Sequence, residues 1–407
     1  MSELLLTGIS QAVTPFGMGP KHGAAMGQLR MIQQAAIAVD AGVISWIGPE
    51  RDWRGNAESV IDLANRAVVP GLIDPHTHAI WAGDRLADFE ARSAGATYEE
   101  ILAAGGGIWH TIRETAKKSS EEMAALALPR VQALQRSGAT TIEVKSGYGY
   151  TLEAELRMLE AVRLLQQQTH CQLVPTLLIH LCPVERAERE AYREMVCAEL
   201  IPEVARRGLA HTVDIFVEHH AWSAEDARIV LGCAKAAGLS IKLHTEQFQR
   251  VGGLEMGLEM EALSVDHLEV CSLEQCELIA KSKTIATILP GVSLHLGLPT
   301  APGRALIDAG AAVALGTDLN PGSSPLFSTA AAMGLAVRLN GLTAPEALSA
   351  STVNAAAALG LSNVGRLEVG MQANLLVLES SDWRDLPYTL GHNVVREVWV
   401  AGRKQAA

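Results

Sequence analysis

The stretch VVPGLIDPHTH, residues 68–78, joins a short apolar run to two histidines that lie two residues apart. Short apolar runs bounded by glycine, proline or polar turns are typical of strands buried in a parallel sheet. Segments rich in alanine, leucine and glutamate, which favour helices, separate most of the later runs. With VVPGLID as the first, the chain contains eight such runs, and the others are TTIEVK (140–145), LVPTLLI (173–179), TVDIFVE (212–218), IKLH (241–244), SVDH (264–267), TIATILP (284–290) and AVALGTD (312–318).

The alternation of eight strands with helices predicts an α/β fold, a (β/α)8 or TIM barrel, over residues 66–364. A doubly wound open sheet is the alternative, because a strand count from one sequence varies by about one or two. Residues 1–65 and 365–407 instead contain short strand-like pieces and no long helical segment. We therefore expect the two chain ends to meet in one small composite β domain, a β-sandwich, beside a catalytic barrel.

Composition narrows the range of partners. Nearly half of the 407 residues are hydrophobic (48%), which supplies a sizeable core. The formal net charge of −12 disfavours nucleic acid and anionic membrane surfaces as partners, since both attract basic patches. A small anionic substrate remains compatible with this charge, because one local arginine outweighs the overall field at short range.

The sequence also predicts a cytoplasmic location. Its six cysteines form no Cys-x-x-Cys pair, which is typical of a reducing compartment rather than of a disulfide framework. The first residues, MSELLLTGIS, lack the basic segment of a signal peptide. No apolar run reaches the roughly 18 residues that a membrane-spanning helix needs.

Histidines and an aspartate follow several of the predicted strands. His76 and His78 lie two residues apart on an extended chain and point the same way, so both imidazoles can bind one ion. His244, His267 and Asp318 each end a later run, at the carboxyl ends of strands, where the active sites of barrels lie. Taken singly, each is also compatible with a hydrogen-bonded surface group or a helix N-cap. Their coincidence on four strands predicts a metal site.

Three imidazoles and one carboxylate suit zinc or iron better than calcium or magnesium, which prefer all-oxygen ligands. The nucleophile is then expected to be a water activated by the metal, with a pKa near ~7. We keep His267 as a residue that orients water, because four protein ligands leave little room for water and substrate. The predicted ligands of one Zn2+ or Fe3+ ion per chain are His76, His78, His244 and Asp318.

This arrangement resembles the amidohydrolase superfamily, in which His-x-His follows the first strand, single histidines follow the fifth and sixth, and an aspartate follows the eighth. Within it, several segments are specifically similar to the imidazolonepropionase family. The resemblance extends from about residue 66 to the C-terminus, and EVKSGYG and TDLNPGSSP are its most specific parts. The similar segments are VVPGLIDPHTHAIWAGDR (68–85), EEILAAGGGIWHTIRETAKKS (99–119), EVKSGYG (143–149), TDLNPGSSP (317–325) and STVNAAAALG (351–360).

The resemblance implies a set of substrate contacts. Arg85 matches an arginine that binds a propionate carboxylate, a task for which a bidentate guanidinium is suited, although a surface salt bridge is the structural alternative. Tyr148 is otherwise a packed loop aromatic, and Asn-Pro-Gly at 320–322 is otherwise an ordinary turn. The implied substrate-binding residues are Arg85, Tyr148, His180, Gln247, Asn320, Gly322 and Ser323.

The chain differs from other members of the superfamily at positions that bear on proton transfer and metal count. Gln247 in H-T-E-Q stands where related deaminases carry a proton-transferring glutamate. We therefore assign proton transfer to His267 with Asp318, and expect Gln247 to assist catalysis only by hydrogen-bonding the substrate ring. Glu246 is expected to point away, because neighbouring side chains on an extended strand alternate in direction. Lys145 lies on the second strand, whereas two-metal relatives carry a carbamylated lysine on the fourth, so we expect one metal.

The reaction implied by the resemblance is hydrolysis of 4-imidazolone-5-propanoate to N-formimidoyl-L-glutamate, the third step of histidine degradation, carried out by a homodimer. Two alternatives remain open. A cytosine- or guanine-type deaminase would want the glutamate that Gln247 replaces. A non-catalytic barrel that binds a small molecule would be supported by the loss of a metal ligand, and none is missing. His219 and His220, in EHHAWS (218–223), have no assigned role.

Overall fold

The computed structural model describes residues 2–97, 100–101 and 104–405. Glu99, Leu102 and Ala103, which belong to the similar segment 99–119, lie outside the described residues. The strands are β1 (Ser2–Pro15), β2 (Leu29–Asp40), β3 (Val43–Pro49), β4 (Ala57–Pro70), β5 (Leu72–Asp74), β6 (Ala139–Lys145), β7 (Gln172–Ile179), β8 (Thr212–Val217), β9 (Ser240–Thr245), β10 (Ser264–His267), β11 (Ile285–Ile288), β12 (Val313–Leu315), β13 (Leu375–Leu378), β14 (Val395–Val400) and β15 (Arg403–Lys404).

Helices separate the strands of the central section. A π-helical turn covers Val196–Leu200, and short 3-10 turns cover Gly23–Gly27 and Glu50–Asp52. The α-helices are α1 (Leu86–Ser93), α2 (Ile108–Ala116), α3 (Ser120–Arg136), α4 (Leu152–Gln166), α5 (Arg186–Met195), α6 (Ile201–Arg207), α7 (Ala224–Ala236), α8 (Gly253–Glu259), α9 (Leu273–Ala280), α10 (Pro290–Leu296), α11 (Gly303–Ala309), α12 (Thr329–Leu339), α13 (Ala344–Ala350), α14 (Val353–Ala358) and α15 (Asp385–Tyr388).

Strands β5–β12 form one eight-stranded sheet in sequential order, and every neighbouring pair is parallel. The two edges of this sheet meet just beyond β5 and β12. There the Asp318 amide donates to the His76 carbonyl, and the His78 amide donates to the Leu319 carbonyl, each at 2.9 Å. The prediction of a (β/α)8 barrel is confirmed, and the alternative of an open sheet is wrong.

The first predicted strand is divided between two sheets. Residues 68–70 end β4 in the sheet of the chain ends, whereas Leu72–Asp74 begin the barrel. Gly71, between them, has no room for a side chain, because an added Cβ would lie 2.3 Å from the Thr140 hydroxyl oxygen. This close approach lets the chain pass directly from one sheet into the other, so the small domain is fixed next to the His-x-His segment.

The chain ends do form one β domain, as the sequence predicted. Its seven strands are hydrogen-bonded in the order β15-β14-β13-β4-β1-β2-β3. Strand β13 from the C-terminal end pairs antiparallel with β4, which itself pairs parallel with β1. One face of the sheet encloses an apolar core that includes Leu6, Ile37 and Leu375.

The barrel strands pack against the surrounding helices through apolar side chains such as Leu177, Ile215 and Leu243. All six cysteines are unpaired. Among the described residues, no helix combines the length and the hydropathy needed to span a membrane.

Candidate metal centre and substrate cavity

The five residues predicted from the strand ends meet at one end of the barrel. His76 and His78 follow β5, His244 lies in β9, His267 ends β10, and Asp318 follows β12. All five are at least 97% buried. The two hydrogen bonds that close the barrel hold the backbone of the His-x-His segment directly against that of Asp318. Closure of the barrel therefore joins the first and last parts of the cluster.

The side-chain atoms of this cluster face one another at short range. Asp318 Oδ1 lies 3.4 Å from His76 Nε2 and 3.2 Å from His78 Nε2, and the Nε2 atoms of His78 and His244 are 3.3 Å apart. Potential ligand atoms lie within 4.8 Å of one another in two groups that share His76: one with His78 and Asp318, the other with His244 and His267. His267 is therefore within reach of a metal, although the sequence assigned it to orienting water.

The donor atoms fit a cation. His76 Nε2 and Asp318 Oδ1 are buried without a hydrogen-bond partner among the described residues, a costly state that a metal ion would relieve. Ionised carboxylates only accept hydrogen bonds, so the Nδ1 atoms of His76 and His244, which contact Asp266 and Asp214, carry the hydrogen. Their Nε2 lone pairs are then free for a metal, and an imidazole-rich set of this kind suits zinc or iron.

Protonation states also favour metal binding at most of these positions. Burial would raise the pKa of Asp318, but His76 and His78 hold it well below its usual value. Burial lowers the pKa of His78 and, more strongly, that of His244. His76 differs: burial and the charge of Lys145 would lower its pKa, but the carboxylates of Asp266 and Asp318 outweigh both and raise it. An ionised aspartate and neutral imidazoles are the forms that coordinate metals.

A cavity of about 460 Å3 opens from this cluster. It brings together every residue that the sequence proposed for substrate binding. His220 also contributes to its wall, whereas the exposed His219 does not. The predicted residues along the cavity are His78, Arg85, Tyr148, His180, His244, Gln247, His267, Asp318, Asn320, Gly322 and Ser323.

Two arginines form one wall of the cavity. Arg85 pairs with Asp88, whose carboxylate also accepts a hydrogen bond from the Gly107 amide at 2.9 Å. Because the side chains of Arg85 and Asp88 are only 10% and 8% exposed, this ion pair is largely buried and is not a surface salt bridge. Arg92 lies beside it, and one of its guanidinium nitrogens is buried without a partner among the described residues. Burial, followed by the charge of Arg85, lowers the pKa of Arg92. Two guanidinium groups and one carboxylate leave one positive charge there. The sequence missed Arg92, which carries no motif.

The loop after β12 positions Asp318. The Asn320 side-chain amide donates to Asp318 Oδ2 at 2.8 Å, and its oxygen accepts the amides of Gly322 and Ser323, each at 2.8 Å. Both ends of the Asn320 amide are thus engaged within the loop. Gly322 packs against Arg85, since an added Cβ would lie 3.0 Å from a guanidinium nitrogen.

The neutral side chains of Tyr148 and His180 form another part of the cavity. Burial raises the pKa of the Tyr148 phenol well above its usual value. Desolvation, with a smaller contribution from His78, lowers the pKa of His180 to about 3. His180 stacks on His78 with ring centroids 5.6 Å apart. Both side chains are therefore uncharged at neutral pH.

Gln247 and Glu246 follow β9 and differ in their surroundings. Gln247 lines the cavity, whereas Glu246 is fully buried and is absent from the cavity wall. Burial raises the pKa of Glu246 to about 7.

The backbone at the end of β10 is strained. His267 has a φ of 87° and Leu268 a φ of 71°, so two consecutive residues other than glycine adopt the left-handed region. Such strain persists where the surroundings impose it, most often at functional sites.

Five charged residues behind the cluster were missed by sequence reasoning. Lys145, which the sequence raised only to exclude carbamylation, is fully buried between Glu143 and Asp214. The available signal was a charge placed inside an apolar strand run, as in TVDIFV, IKLH and SVDH. The five residues are Glu143, Lys145, Asp214, Lys242 and Asp266.

The fold and site define a class of metal-dependent hydrolase, and the comparisons agree. The amidohydrolase family model matches residues 67–404. An adenosine deaminase from Xanthomonas campestris with bound zinc shares the fold, with a TM-score of 0.74 at 19% identity, over 99% of this chain and 92% of that one.

Closer relatives identify the family within this class. Imidazolonepropionase of Deinococcus radiodurans is 60% identical over 99% of both chains. Imidazolonepropionase of Chloroflexus aggregans is 43% identical over 98% of both chains. The chain therefore belongs to the imidazolonepropionases, a family of amidohydrolases.

Proposed function

We propose that this protein hydrolyses 4-imidazolone-5-propanoate to N-formimidoyl-L-glutamate, the third step of histidine degradation. One observation carries the proposal: a single cavity connects the buried histidine–aspartate cluster to the paired guanidinium groups of Arg85 and Arg92. The cavity has a size typical of small-molecule sites, and its single net positive charge at the arginine wall matches one carboxylate. The family relationship supports the same substrate.

Substrate orientation follows from these contacts. Arg85 and Arg92 bind the propionate carboxylate, and Asp88 holds Arg85 in place from the other side. Neutral Tyr148 and His180 hydrogen-bond the imidazolone ring, assisted by the Gln247 amide. This leaves the ring carbonyl directed at the predicted ligands.

The metal is proposed to be one zinc or iron ion per chain, held by His76, His78, His244 and Asp318. When bound, it would polarise the ring carbonyl and make water more acidic. Asp318 and His267 take up the proton that water loses as its oxygen bonds to the carbonyl carbon. The bond between that carbon and the ring nitrogen then breaks, and His267 returns the proton to this nitrogen. Substrate and one water are thus converted into product without another reactant.

A coupled absorbance assay tests the proposal. Urocanate and urocanase generate the imidazolone in the cuvette, and its absorbance should fall faster when this protein is added than by spontaneous decay. The Asp318→Asn variant is the matched control and should leave the spontaneous rate unchanged. No acceleration by the metal-loaded wild type would contradict the proposal, and release of ammonia from cytosine or guanine would favour the deaminase alternative.

A cytoplasmic location and a homodimer complete the proposal. The six unpaired cysteines support a reducing compartment. Cell fractionation tests the location, and light scattering on the purified protein tests whether the mass is twice that of one 43.3 kDa chain.

A further inference from the structure

Five charged side chains lie behind the predicted metal ligands, within the barrel and away from the cavity. They are Glu143 and Lys145 on β6, Asp214 on β8, Lys242 on β9 and Asp266 on β10, and each is 0% exposed. The interior of such barrels is normally filled by apolar side chains. Burying three carboxylates and two ammonium groups costs stability that a hydrophobic layer would not cost. The burial of these five charged side chains therefore indicates that they have a role other than stabilising the fold.

One chain of contacts runs from Glu143 to His244. The Lys145 ammonium contacts Glu143 at 2.7 Å and donates to Asp214 Oδ2 at 2.6 Å. The other oxygen of Asp214 accepts from His244 Nδ1 at 3.1 Å. Lys145 therefore fixes the carboxylate that orients the His244 ring.

A second chain of contacts runs from the same Glu143 to His76. The Lys242 ammonium lies 3.1 Å from both oxygens of Glu143 and 3.4 Å from Asp266. It also donates to the carbonyl of Pro75, the residue before His76, at 2.7 Å. Asp266 accepts from His76 Nδ1 at 2.6 Å. Lys242 thus fixes both the backbone and the ring partner of His76.

We propose that Glu143 is a positioning residue for the metal centre, because it joins the two lysines whose aspartate partners orient His76 and His244. Both histidines then present Nε2 to a metal in a fixed direction before the metal binds. The inference rests on the proposed metal site and deepens it. Glu143, which Lys145 and Asp214 separate from the predicted ligand His244, contributes to the affinity for the metal. Carboxylates that hydrogen-bond metal-binding histidines, as Asp214 and Asp266 would here, commonly contribute to metal affinity, and Glu143 holds both through the lysines.

Zinc affinity of the full-length protein tests the inference. Metal-stripped Glu143→Gln should bind zinc roughly 10- to 100-fold more weakly than the wild type in competition with a chromophoric chelator. The absorption bands of the cobalt-substituted variant should also shift, because the ligand geometry changes. Glu346→Gln is the control, since Glu346 is also buried, caps α13 and pairs with Arg304, and neither residue lines the cavity. It should lower the melting temperature and leave zinc affinity unchanged.

A second variant covers failure of Glu143→Gln to fold. Thr176→Val preserves side-chain shape and removes the hydroxyl that donates to Glu143 at 2.6 Å. It should weaken zinc binding in the same direction by a smaller factor. Unchanged zinc affinity in the folded variants, or an equal loss in Glu346→Gln, would overturn the inference alone. Failure of the wild type to bind zinc or iron would overturn the proposed function, and this inference with it.

Discussion

Neighbouring residues hold the Arg85 side chain in place. Its pairing with Asp88 and its packing against Gly322 fix the direction of the guanidinium. Arg92 adds a second positive charge at the same wall, with one nitrogen unpaired among the described residues. An arginine held in this way binds a carboxylate without first losing side-chain freedom.

Replacing Arg85 with methionine should weaken substrate binding more than catalysis. Loss of a charge-assisted contact costs on the order of 1.5–3 kcal/mol, which corresponds to a rise in KM of about 10- to 150-fold. The penalty should largely vanish for an ester of the propionate, and steady-state kinetics on both substrates measures it. Arg186→Met, at an exposed ion pair, is the control. Equal losses on acid and ester would show that Arg85 does not bind the carboxylate.

His267 has a left-handed backbone conformation, is buried, and has a ligand atom within 4.8 Å of those of His76 and His244, which fits a catalytic residue. Replacing it with asparagine should lower kcat by ~10²–10⁴, the usual range for removing a general acid–base, while one metal per chain is retained. Gln247→Glu should remain active, because it only adds an ionisable group beside the ring. Single-turnover kinetics and metal analysis on the same samples measure both effects.

Three results would contradict this division of roles. Near-wild-type turnover of His267→Asn would exclude it as the proton carrier. Loss of the metal from that variant would instead make His267 a ligand, as its distance from His76 and His244 allows. An inactive Glu246→Gln would transfer the role to Glu246.

Among the elements, the loop between β6 and α4 shows how a helix supports a cavity residue. The Glu155 carboxylate, in the first turn of α4, accepts the amides of Gly147, Gly149 and Tyr150 at 2.7–3.0 Å. Gly149 is needed because an added Cβ would lie 2.5 Å from the Glu155 amide nitrogen. The loop thereby fixes Tyr148 in the cavity wall.

Glu155→Gln should loosen this loop and raise KM by about 3- to 10-fold. The neutral amide forms hydrogen bonds roughly half as strong as those of a carboxylate, and its NH2 group would oppose a backbone amide. Hydrogen exchange at residues 147–150 should accelerate. Glu153→Gln, exposed in the same turn, is the control. Unchanged exchange in Glu155→Gln would show that the loop holds its conformation without the carboxylate.

At the scale of the whole molecule, barrel closure and the metal act on the same residues. Closure depends on backbone hydrogen bonds between the segments at His76 and Asp318, whose side chains are proposed to share an ion. A metal bound there should therefore stabilise the entire barrel. Binding only to the folded chain stabilises it by about 2.7 kcal/mol when free metal is a hundredfold above Kd.

Removal of the metal should abolish activity and lower the melting temperature, and one equivalent of zinc or iron should restore both. Inductively coupled plasma analysis and calorimetry on the same preparations measure this. A preparation active without metal would contradict the prediction. So would a requirement for two equivalents, since Lys145 is held between Glu143 and Asp214 and cannot bridge a second ion.

Much of the site could be predicted because it lies at strand ends. Apolar runs report burial directly, so residues that end them, such as His244 and Asp318, could be assigned to one face of a barrel before any coordinates. Runs 264–267 and 140–145 differ from β10 and β6 by at most one residue at either end. The division of 68–74 between two sheets escaped prediction, because Gly71 is required by contact with distant Thr140 and by no local signal.

The sequence by itself determined the barrel, the β domain of the chain ends and the histidines and aspartate at the strand ends, since each depends on local patterns of burial. The other predicted cavity residues came from the resemblance to the imidazolonepropionases. Only the tertiary structure decided which charges meet. His76 and Asp266 are 190 residues apart in sequence, and Lys145 and Asp214 are 69 apart. A charged side chain inside an apolar run signals that a partner exists, but the identity of that partner depends on which strands become neighbours when the sheet closes.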